Sequence, residues 1–296
     1  MKKYSIFILL SIITSNLYAS DFDVAMGNVR LNCSGISQKL SDLKKLAGIN
    51  TVVTGVGTAA ATGATVAGIS KASVDKRIEE ILEPLARIRR DTKNPSEIAL
   101  LAVYNKYYGE TTANIQNVKK SEEEKSKTLG HWRTGLLGGS AVTNIAGAVI
   151  ASNNTMDDDL QRKIESCIIS VDNLKSTLGQ ARTDGIDITK ASNIVMECGD
   201  WKNVDLSVID NRAKGAMVSS LVGAATGAAG TVTSAIANSD DVRSGDEARE
   251  KHLNTASNVL AGGTVVASGV ATVFNATQIN AIKKIINVAE GCENAL

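Results

Sequence analysis

Four cysteines are the side chains whose number and spacing most clearly point to chemistry in this chain. They are Cys33, Cys167, Cys198 and Cys292. In a chain that leaves the cytosol, an even number of cysteines indicates disulfides, and four of them allow three pairings into two bridges. A metal centre is not predicted, because these cysteines lie in no CxxC pair and have no histidine nearby in the sequence.

The remaining polar residues do not indicate catalysis. The two histidines, His131 and His252, lie among polar residues, where we expect a solvated structural role. The sequence contains no HExxH, no GxSxG and no phosphate loop that ends in Gly-Lys-Ser/Thr. Gly55-Val56-Gly57 departs from the dinucleotide-binding fingerprint, because Ala60 stands where the third glycine would be. We therefore expect a protein that is not an enzyme and binds no cofactor.

Two runs of acidic residues, Glu122–Glu124 and Asp157–Asp159, each supply three consecutive carboxylates. Carboxylates can bind a cation, but such runs are more often a solvated helix face or the first turn of a helix. At a helix start, negative charge interacts favourably with the helix dipole. We expect these structural roles, so the runs predict no metal site.

The N-terminus indicates export. Lys2 and Lys3 precede an apolar run from Tyr4 to Ile13, and Leu17-Tyr18-Ala19 has the small terminal residue of a cleavage site. This pattern predicts a signal peptide over residues 1–19, with an uncleaved N-terminal anchor as the alternative. The mature protein is then periplasmic or secreted. A formal net charge of +1 argues against a nucleic-acid partner held by phosphate contacts.

The elements that position these residues are four stretches without a charged side chain, rich in Gly, Ala and Thr. They are Leu46–Ser70, Thr134–Met156, Gly215–Ser239 and Leu253–Ile282. The second pair repeats the first: a shift of 168 residues lays Gly55 on Gly223, and a shift of 124 lays Gly139 on Gly263. Prolines number only two and aromatic residues make up 3%. The repeat therefore predicts an all-α fold, in which two antiparallel helical hairpins form an elongated bundle.

Small residues recur every four positions within these stretches, in the manner of a glycine zipper. The predicted helix-packing positions are Gly55, Ala59, Gly63, Gly139 and Gly147, with Gly223, Gly227 and Gly263 in the second copy. Small residues on one face let two helix backbones approach closely. Because Gly costs about 1 kcal/mol relative to Ala inside a helix, its repeated use on one face predicts close packing there.

The repeat also favours one disulfide pairing. In the first copy, Cys33 lies 22 residues before Gly55 and Cys167 lies 28 residues after Gly139. In the second copy, Cys198 lies 25 residues before Gly223 and Cys292 lies 29 residues after Gly263. At about 1.5 Å per residue, the two cysteines of a copy come nearly level in an antiparallel hairpin. This favours Cys33–Cys167 and Cys198–Cys292, while cross-unit pairing through Cys167 and Cys198 stays open.

The first copy carries a helical insertion at about residues 72–126. It holds Tyr104, Tyr107 and Tyr108, and Asn94-Pro95-Ser96-Glu97 predicts a helix start within it. Because tyrosine combines contact area with a polar tip, these three are the candidate partner-binding residues, with packing against the first hairpin as the alternative. The predicted organisation is a signal peptide at 1–19, a first hairpin unit at 20–182, a linker at 183–203 and a second hairpin unit at 204–296.

The sequence leaves two interpretations of function. Each uncharged stretch is long enough to cross a bilayer, which takes about 20 residues, yet Gly, Ala, Thr and Ser contribute little transfer free energy. We expect an exported, non-enzymatic helical scaffold or interaction protein of the bacterial envelope or the extracellular space, with an unidentified protein partner or self-association. The alternative is a membrane-inserting protein, toxin-like or channel-like, whose four Gly/Ala-rich helices enter the bilayer.

Overall fold

A computed structural model describes the backbone of residues 21–91, 95–245 and 247–296. Side chains are described for residues 21–80, 116–243 and 248–296. The predicted signal peptide lies outside these residues, and so do the side chains of Tyr104, Tyr107 and Tyr108.

Every secondary-structure element of the described residues is helical, which confirms the all-α prediction. The helices are α1 (residues 21–33), α2 (Ile36–Asp91), α3 (Pro95–Asn153), α4 (Asp158–Thr183), α5 (Thr189–Gly199), α6 (Ser207–Ala237), α7 (Asp240–Gly245) and α8 (Glu247–Ala295), with a 3-10 turn at Asp200–Asn203. Helix α3 begins at the proline that the sequence marks as a helix start, because a first-turn residue has no use for a backbone N–H.

Local signals explain two of the helix boundaries. Gly35, between α1 and α2, has a φ of +73°, a left-handed conformation that glycine adopts without a steric penalty. Asp157 precedes α4, and its side chain accepts a hydrogen bond of 2.6 Å from the backbone N–H of Leu160. The acidic run at Asp157–Asp159 therefore caps and opens a helix, which is one of the two roles expected for it.

The chain divides into two compact units. Unit 1 comprises Met1–Thr51, Val149–Met217 and Thr272–Leu296, and unit 2 comprises Val52–Ala148 and Val218–Ala271. Each unit collects segments from before and after residues 183–203. The compact units and the two hairpin units at 20–182 and 204–296 therefore divide the chain in different ways, and the hairpin units stay a prediction.

Unit 1 has an aliphatic interior. Its fully buried large side chains include Ile36, Leu40, Ile164, Leu174, Ile194 and Ile282. Burying a side chain of this size stabilises a protein by about 1.5–3 kcal/mol. All four cysteines lie in the same core, so apolar burial and covalent bridges hold this unit together.

The segment predicted as a linker at 183–203 is mostly helical. It forms α5 and the 3-10 turn, and it buries Ile194, Cys198 and Trp201 in the core of unit 1. At its start, the hydroxyl and the backbone N–H of Thr189 donate hydrogen bonds to Asp187, and they lower the pKa of that carboxyl. The few apolar residues of this segment lie at helical spacing, so its polar composition conceals one buried face.

Candidate functional site

Within and beside the uncharged stretches of unit 2, one row of buried residues on each long helix follows a heptad pattern, with intervals that alternate between three and four residues. These rows are Thr54, Gly57, Ala61, Ala64, Gly68 and Lys71 on α2; Arg133, Leu137, Ser140 and Asn144 on α3; Ser220, Gly223, Gly227, Gly230 and Ser234 on α6; and Ser257, Ala261, Thr264, Ser268 and Ala271 on α8. Further buried residues lie beside these rows, among them Ala67, Val74, Ala141, Ala224 and Ala267. These intervals define positions a and d of a heptad lettered a to g, the inward positions of a coiled coil. Leu137 is the single large aliphatic residue in these rows, so the interior of unit 2 is small and polar.

Hydrogen bonds join the helices across this polar interior. The Ser140 hydroxyl donates to the backbone carbonyl of Gly57 at 2.8 Å, which links α3 to α2. The Ser257 hydroxyl donates to the carbonyl of Gly230 at 3.1 Å, which links α8 to α6. Both hydroxyls are fully buried, and a buried hydroxyl is stable only where it has a partner. The small residues therefore expose backbone carbonyls that the neighbouring helix uses as acceptors.

Glycines mark the closest approaches between helices of unit 2. A Cβ atom added at Gly227 would lie 3.3 Å from the backbone nitrogen of Ala141, and one added at Gly57 would lie 2.7 Å from the Thr143 hydroxyl. Real Cβ atoms rarely approach other atoms so closely. These two positions therefore hold glycine because the facing helix leaves no room for a side chain.

The predicted glycine-zipper positions differ in their surroundings. A Cβ would meet a neighbouring helix within 3.4 Å at Gly63, Gly223 and Gly227, and within 3.7 Å at Gly263. Gly147 is buried, Ala59 and Gly139 are exposed, and a Cβ at Gly55 would have nothing within 4 Å. Residues four apart are offset by about 40° around the helix axis, so a row of such residues moves gradually off a single buried face. The zipper register itself stays a prediction.

A buried ion-pair cluster lies just beyond the uncharged stretches of unit 2. Lys71 on α2 is 1% exposed, and its Nζ lies 2.7 Å from Asp75 Oδ2 and 2.9 Å from Glu250 Oε1 on α8. The Ser126 hydroxyl on α3 donates to the other oxygen of Asp75 at 2.6 Å. A buried ammonium needs such partners, because desolvation of an unpaired charge costs several kcal/mol.

Arg133 on α3 extends this cluster to a fourth helix. The guanidinium is fully buried and donates through Nε to the Ser234 hydroxyl on α6 at 2.9 Å. It also donates to Asn254 at 2.6 Å and to Asn258 at 3.1 Å, both on α8. The Asn254 amide in turn donates to Glu250 at 3.4 Å. One connected set of polar side chains thus ties together α2, α3, α6 and α8.

Along the uncharged stretches of unit 2, the outward side is apolar. Between 39% and 70% of the surface of each of these side chains is exposed: Val52, Val56, Val66, Ile69, Val142, Ile145, Val218, Leu221, Val222, Val232, Ile236, Val259, Val266 and Val270. Heptad position f, which points farthest from the helix partners, includes an exposed valine on each helix, at Val66, Val142, Val232 and Val266, while Ala59, Gly135 and Ala225 occupy other f positions. These stretches of unit 2 therefore reverse the usual distribution of a water-soluble protein, with polar residues inside and aliphatic residues outside.

Four helical segments of the described residues are long and apolar enough to cross a membrane, judged by length and composition. They are Asp21–Glu80, Gln116–Thr183, Thr189–Ala237 and Ala248–Ala295. Only 33–39% of the most apolar window in each segment is buried within the protein. Most residues of these windows are therefore partly or fully accessible at the protein surface.

An exposed tryptophan marks the edge of the apolar surface. Trp132 is 64% exposed and lies directly before Arg133, where the uncharged stretch of α3 begins. Tryptophan is enriched at the membrane–water interface, because its ring is apolar and its N–H is polar. The other tryptophan, Trp201, is 2% exposed in the core of unit 1. His131 and His252 are both exposed, in the solvated positions expected for them.

The acidic run on α3 contributes an ordinary helix-surface contact. Glu122 accepts a hydrogen bond of 2.8 Å from Lys125, and an Arg77 nitrogen lies 4.0 Å from its carboxylate. Glu123 and Glu124 are exposed, whereas Glu122 is 9% exposed. The run therefore lies on a helix face, as expected, but only its last two carboxylates are solvated.

The four cysteines form the two bridges that the repeat favours, Cys33–Cys167 and Cys198–Cys292. The Sγ atoms of Cys33, Cys198 and Cys292 all lie within 4.8 Å of one another. Among the described residues this is the group of His, Cys, Asp and Glu side chains close enough to hold a metal, but all its members are engaged in disulfides. Disulfides indicate an oxidising environment outside the cytosol.

Sequence reasoning missed the polar interior of unit 2. The available signal was the isolation of Lys71 and Arg133, each the first charged residue beyond an uncharged stretch. A second signal was the alternation of three and four residues between Ser, Thr, Asn and Gly positions. Compared with protein-family models, curated proteins and solved structures, the chain has no match.

Proposed function

We propose that the four long helices of unit 2 insert into a lipid bilayer. Their valine and isoleucine side chains face lipid, and their small and polar side chains face one another. The observation that supports this most strongly is an exposed valine at one heptad position f of each of the four helices, at Val66, Val142, Val232 and Val266. Position f receives the least cover from helix partners, so these residues need a partner outside the protein.

The energetics of the outward surface favour lipid over water. Full burial of a Val, Leu or Ile side chain is worth about 1.5–3 kcal/mol, and each long helix of unit 2 carries several that are half exposed or more. A continuous apolar surface of this kind marks a protein or membrane interaction site. Hydrocarbon can cover all four helices at once, whereas a globular partner covers one side.

The interior of unit 2 suits a bilayer as well. Between membrane helices the hydrophobic effect supplies no association energy, so close packing of small residues and hydrogen bonds must hold the helices together. Ser140 with Gly57 and Ser257 with Gly230 are contacts of this kind. Such hydrogen bonds contribute about 0.6–2 kcal/mol each in membranes. The repeated glycine-zipper hairpins are part of this proposal, and the close approaches at Gly223 and Gly227 support them.

The dimensions agree with this role. A bilayer core of about 30 Å takes about 20 helical residues, and each uncharged stretch meets that length. Lys71, Arg133 and Glu250 lie just beyond the ends of these stretches, and Trp132 lies beside Arg133. Charged groups and tryptophan at this level belong to the headgroup region of a membrane.

An exported scaffold is the second candidate, and the two disulfides support export. In that case a partner protein or further copies of the chain cover the valine surface. Tyr104, Tyr107 and Tyr108 on the insertion would then anchor a partner, and deletion of residues 97–117 would abolish its capture. Unchanged capture after this deletion would reject the tyrosines as the anchors.

Two matched lysine substitutions test the membrane proposal. Val66 and Ser73 occupy position f one heptad apart on α2, both exposed, one within the uncharged stretch and one beyond Lys71. A lysine at a helix centre costs about 2.5–3.5 kcal/mol of insertion free energy. We expect the wild-type protein and Ser73→Lys to float with liposomes and to resist carbonate washing, and Val66→Lys to lose both properties.

The same preparations separate the possible outcomes. Release of an entrapped dye by the wild-type protein would assign the toxin-like or channel-like role, and flotation without release would assign an anchor. A wild-type protein that is monodisperse without detergent and stays below the liposomes would contradict insertion.

A further inference from the structure

The two disulfides of unit 1 are neighbours, and the two sulfurs of the first bridge differ in how close they lie to the second bridge. Cys33 belongs to one bridge, yet its Sγ lies within 4.8 Å of both sulfurs of the other bridge, Cys198 and Cys292. Cys167 completes the first bridge but is not a member of this three-sulfur group. The three sulfurs come from α1, α5 and α8, three separate helices that meet in one core.

We propose that Cys33, Cys198 and Cys292 form an intramolecular thiol–disulfide exchange site. A Cys33 thiolate attacks one sulfur of the Cys198–Cys292 bridge, a bond forms between the two sulfurs, and the Cys198–Cys292 bond breaks. The electron pair leaves on the other sulfur of that bridge, which becomes a thiolate and takes up a proton. One thiol enters and one thiol leaves, so the step involves no net oxidation.

In the wild-type chain the entering thiol comes from reduction of Cys33–Cys167 by an external dithiol, which supplies two electrons and two protons. Attack by Cys33 on the second bridge gives a mixed bridge and one free thiolate. The Cys167 thiolate then attacks Cys33, which re-forms Cys33–Cys167 and leaves Cys198 and Cys292 as thiols. The reverse route begins with a Cys198 or Cys292 thiolate that attacks Cys33 and releases Cys167. Cys33 is the common member of both routes, so the two bridges behave as one redox unit.

Burial makes this exchange local. All four cysteines are at most 1% exposed, so a protein-sized reductant cannot reach the sulfurs while the core stays closed, and a small dithiol reaches them through local opening of the core. Within the core, the short distances replace diffusion, because exchange requires only that a thiolate reach a disulfide sulfur. Cys33 is the last helical residue of α1 and directly precedes the turn at Gly35.

Two single substitutions test this assignment with a matched design. Cys167→Ser leaves Cys33 as a free thiol inside the three-sulfur group, and Cys33→Ser leaves Cys167 as a free thiol outside it. Each variant is first compared with the wild type by far-UV circular dichroism. It is then held at pH 8 without denaturant, quenched with acid, alkylated and mapped by mass spectrometry of a non-reducing digest.

We expect Cys33–Cys198 or Cys33–Cys292 peptides in Cys167→Ser at an abundance at least about tenfold above any mixed bridge of Cys167 in Cys33→Ser. A Cys167→Ser variant in which Cys33 is fully alkylated and Cys198–Cys292 is intact would overturn the proposal. If Cys167→Ser loses its helicity, the folded wild-type protein with less than one equivalent of dithiothreitol provides the same readout. Mixed Cys33 bridges would support exchange there, and native bridges with their reduced forms alone would overturn it.

Discussion

Asn144 on α3 and Ser268 on α8 hydrogen-bond to each other in both directions in the buried interior of unit 2. The Asn144 amide donates to the Ser268 hydroxyl at 2.8 Å, and that hydroxyl donates to Asn144 Oδ1 at 3.1 Å. The 124-residue shift of the sequence repeat superposes these same two residues. In unit 1, Gln278 donates to the backbone carbonyl of Asn154 at 2.9 Å, with the same offset. In unit 2, Arg133 also donates to Asn258 at an offset of 125 residues, so α3 and α8 run parallel there and pair matching positions, as the two chains of a parallel coiled coil do.

The Asn144–Ser268 pair predicts a non-additive pair of substitutions. Asn144→Ala should lower the free energy of unfolding by about 1–3 kcal/mol, because it leaves the buried Ser268 hydroxyl without this partner. The double variant Asn144→Ala/Ser268→Ala should cost less than the sum of the two single substitutions, because it removes both polar groups. Chemical denaturation followed by circular dichroism measures all three, and Asn117→Ala at an exposed site of the same helix is the control. Additive effects would contradict a direct coupling.

The buried ion-pair cluster predicts a large effect when its carboxylates are neutralised. Asp75→Asn with Glu250→Gln leaves the Lys71 ammonium buried without a counter-ion, and should lower the free energy of unfolding by about 3–5 kcal/mol. Adding Lys71→Met should restore part of that loss. The control is Lys76→Met, which breaks a Lys76–Glu80 pair whose side chains are 75% and 62% exposed and should cost less than about 1 kcal/mol. Equal effects of the neutralised cluster and the control would show that the cluster is not a stabilising element.

The second disulfide predicts a loss of stability without loss of helix. Cys198→Ser/Cys292→Ser opens a bridge between residues 94 positions apart, which the chain-entropy model values at about 4–5 kcal/mol. The variant should melt at a lower temperature while its helical signal at 25 °C stays close to that of the wild type. A loss of helicity at 25 °C would mean instead that the bridge is required for folding.

Glycines with different surroundings predict substitutions of opposite sign. Gly227→Ala places a Cβ 3.3 Å from the α3 backbone at Ala141 and should destabilise the protein by about 1–3 kcal/mol, because a backbone cannot move aside easily. Gly139→Ala meets no atom within 4 Å and should stabilise α3 by up to about 1 kcal/mol through helix propensity. Thermal melts of the two variants compare them directly. Equal melting temperatures would contradict the assigned contacts.

Sequence reasoning reached the helical class, the helix start at Pro95 and the disulfide pairing. These follow from strong local or long-range constraints: few prolines, a capping pattern, and cysteines in register with a repeat. The buried face of unit 2 did not follow, because charged residues usually mark the solvent side of a helix and these stretches have none. Asn144 and Ser268 resemble surface residues by type, and Val66 and Val232 resemble core residues.

The segment at 183–203 shows a second limit. Its Asp, Gly and Thr content predicts a linker, yet Ile194, Cys198 and Trp201 lie in the core of unit 1. A short helix needs only one apolar residue per turn to form a buried face, and the overall composition of a segment does not report the spacing of so few residues. The disulfide at Cys198 was the available indication that the segment is tied to the core.

Quenching of a tryptophan by brominated lipid tests the central claim, which is that position f of unit 2 faces hydrocarbon. The protein carries Val142→Trp and Trp132→Phe, and the parent with Trp132→Phe alone reports the buried Trp201 background. A second control places the tryptophan at Glu124, which is exposed on the same helix but lies outside the uncharged stretch. In vesicles of phospholipid brominated near the middle of the acyl chain, we expect strong quenching of the tryptophan at position 142 and little at position 124. Quenching at position 142 that does not exceed the parent would contradict membrane insertion of unit 2.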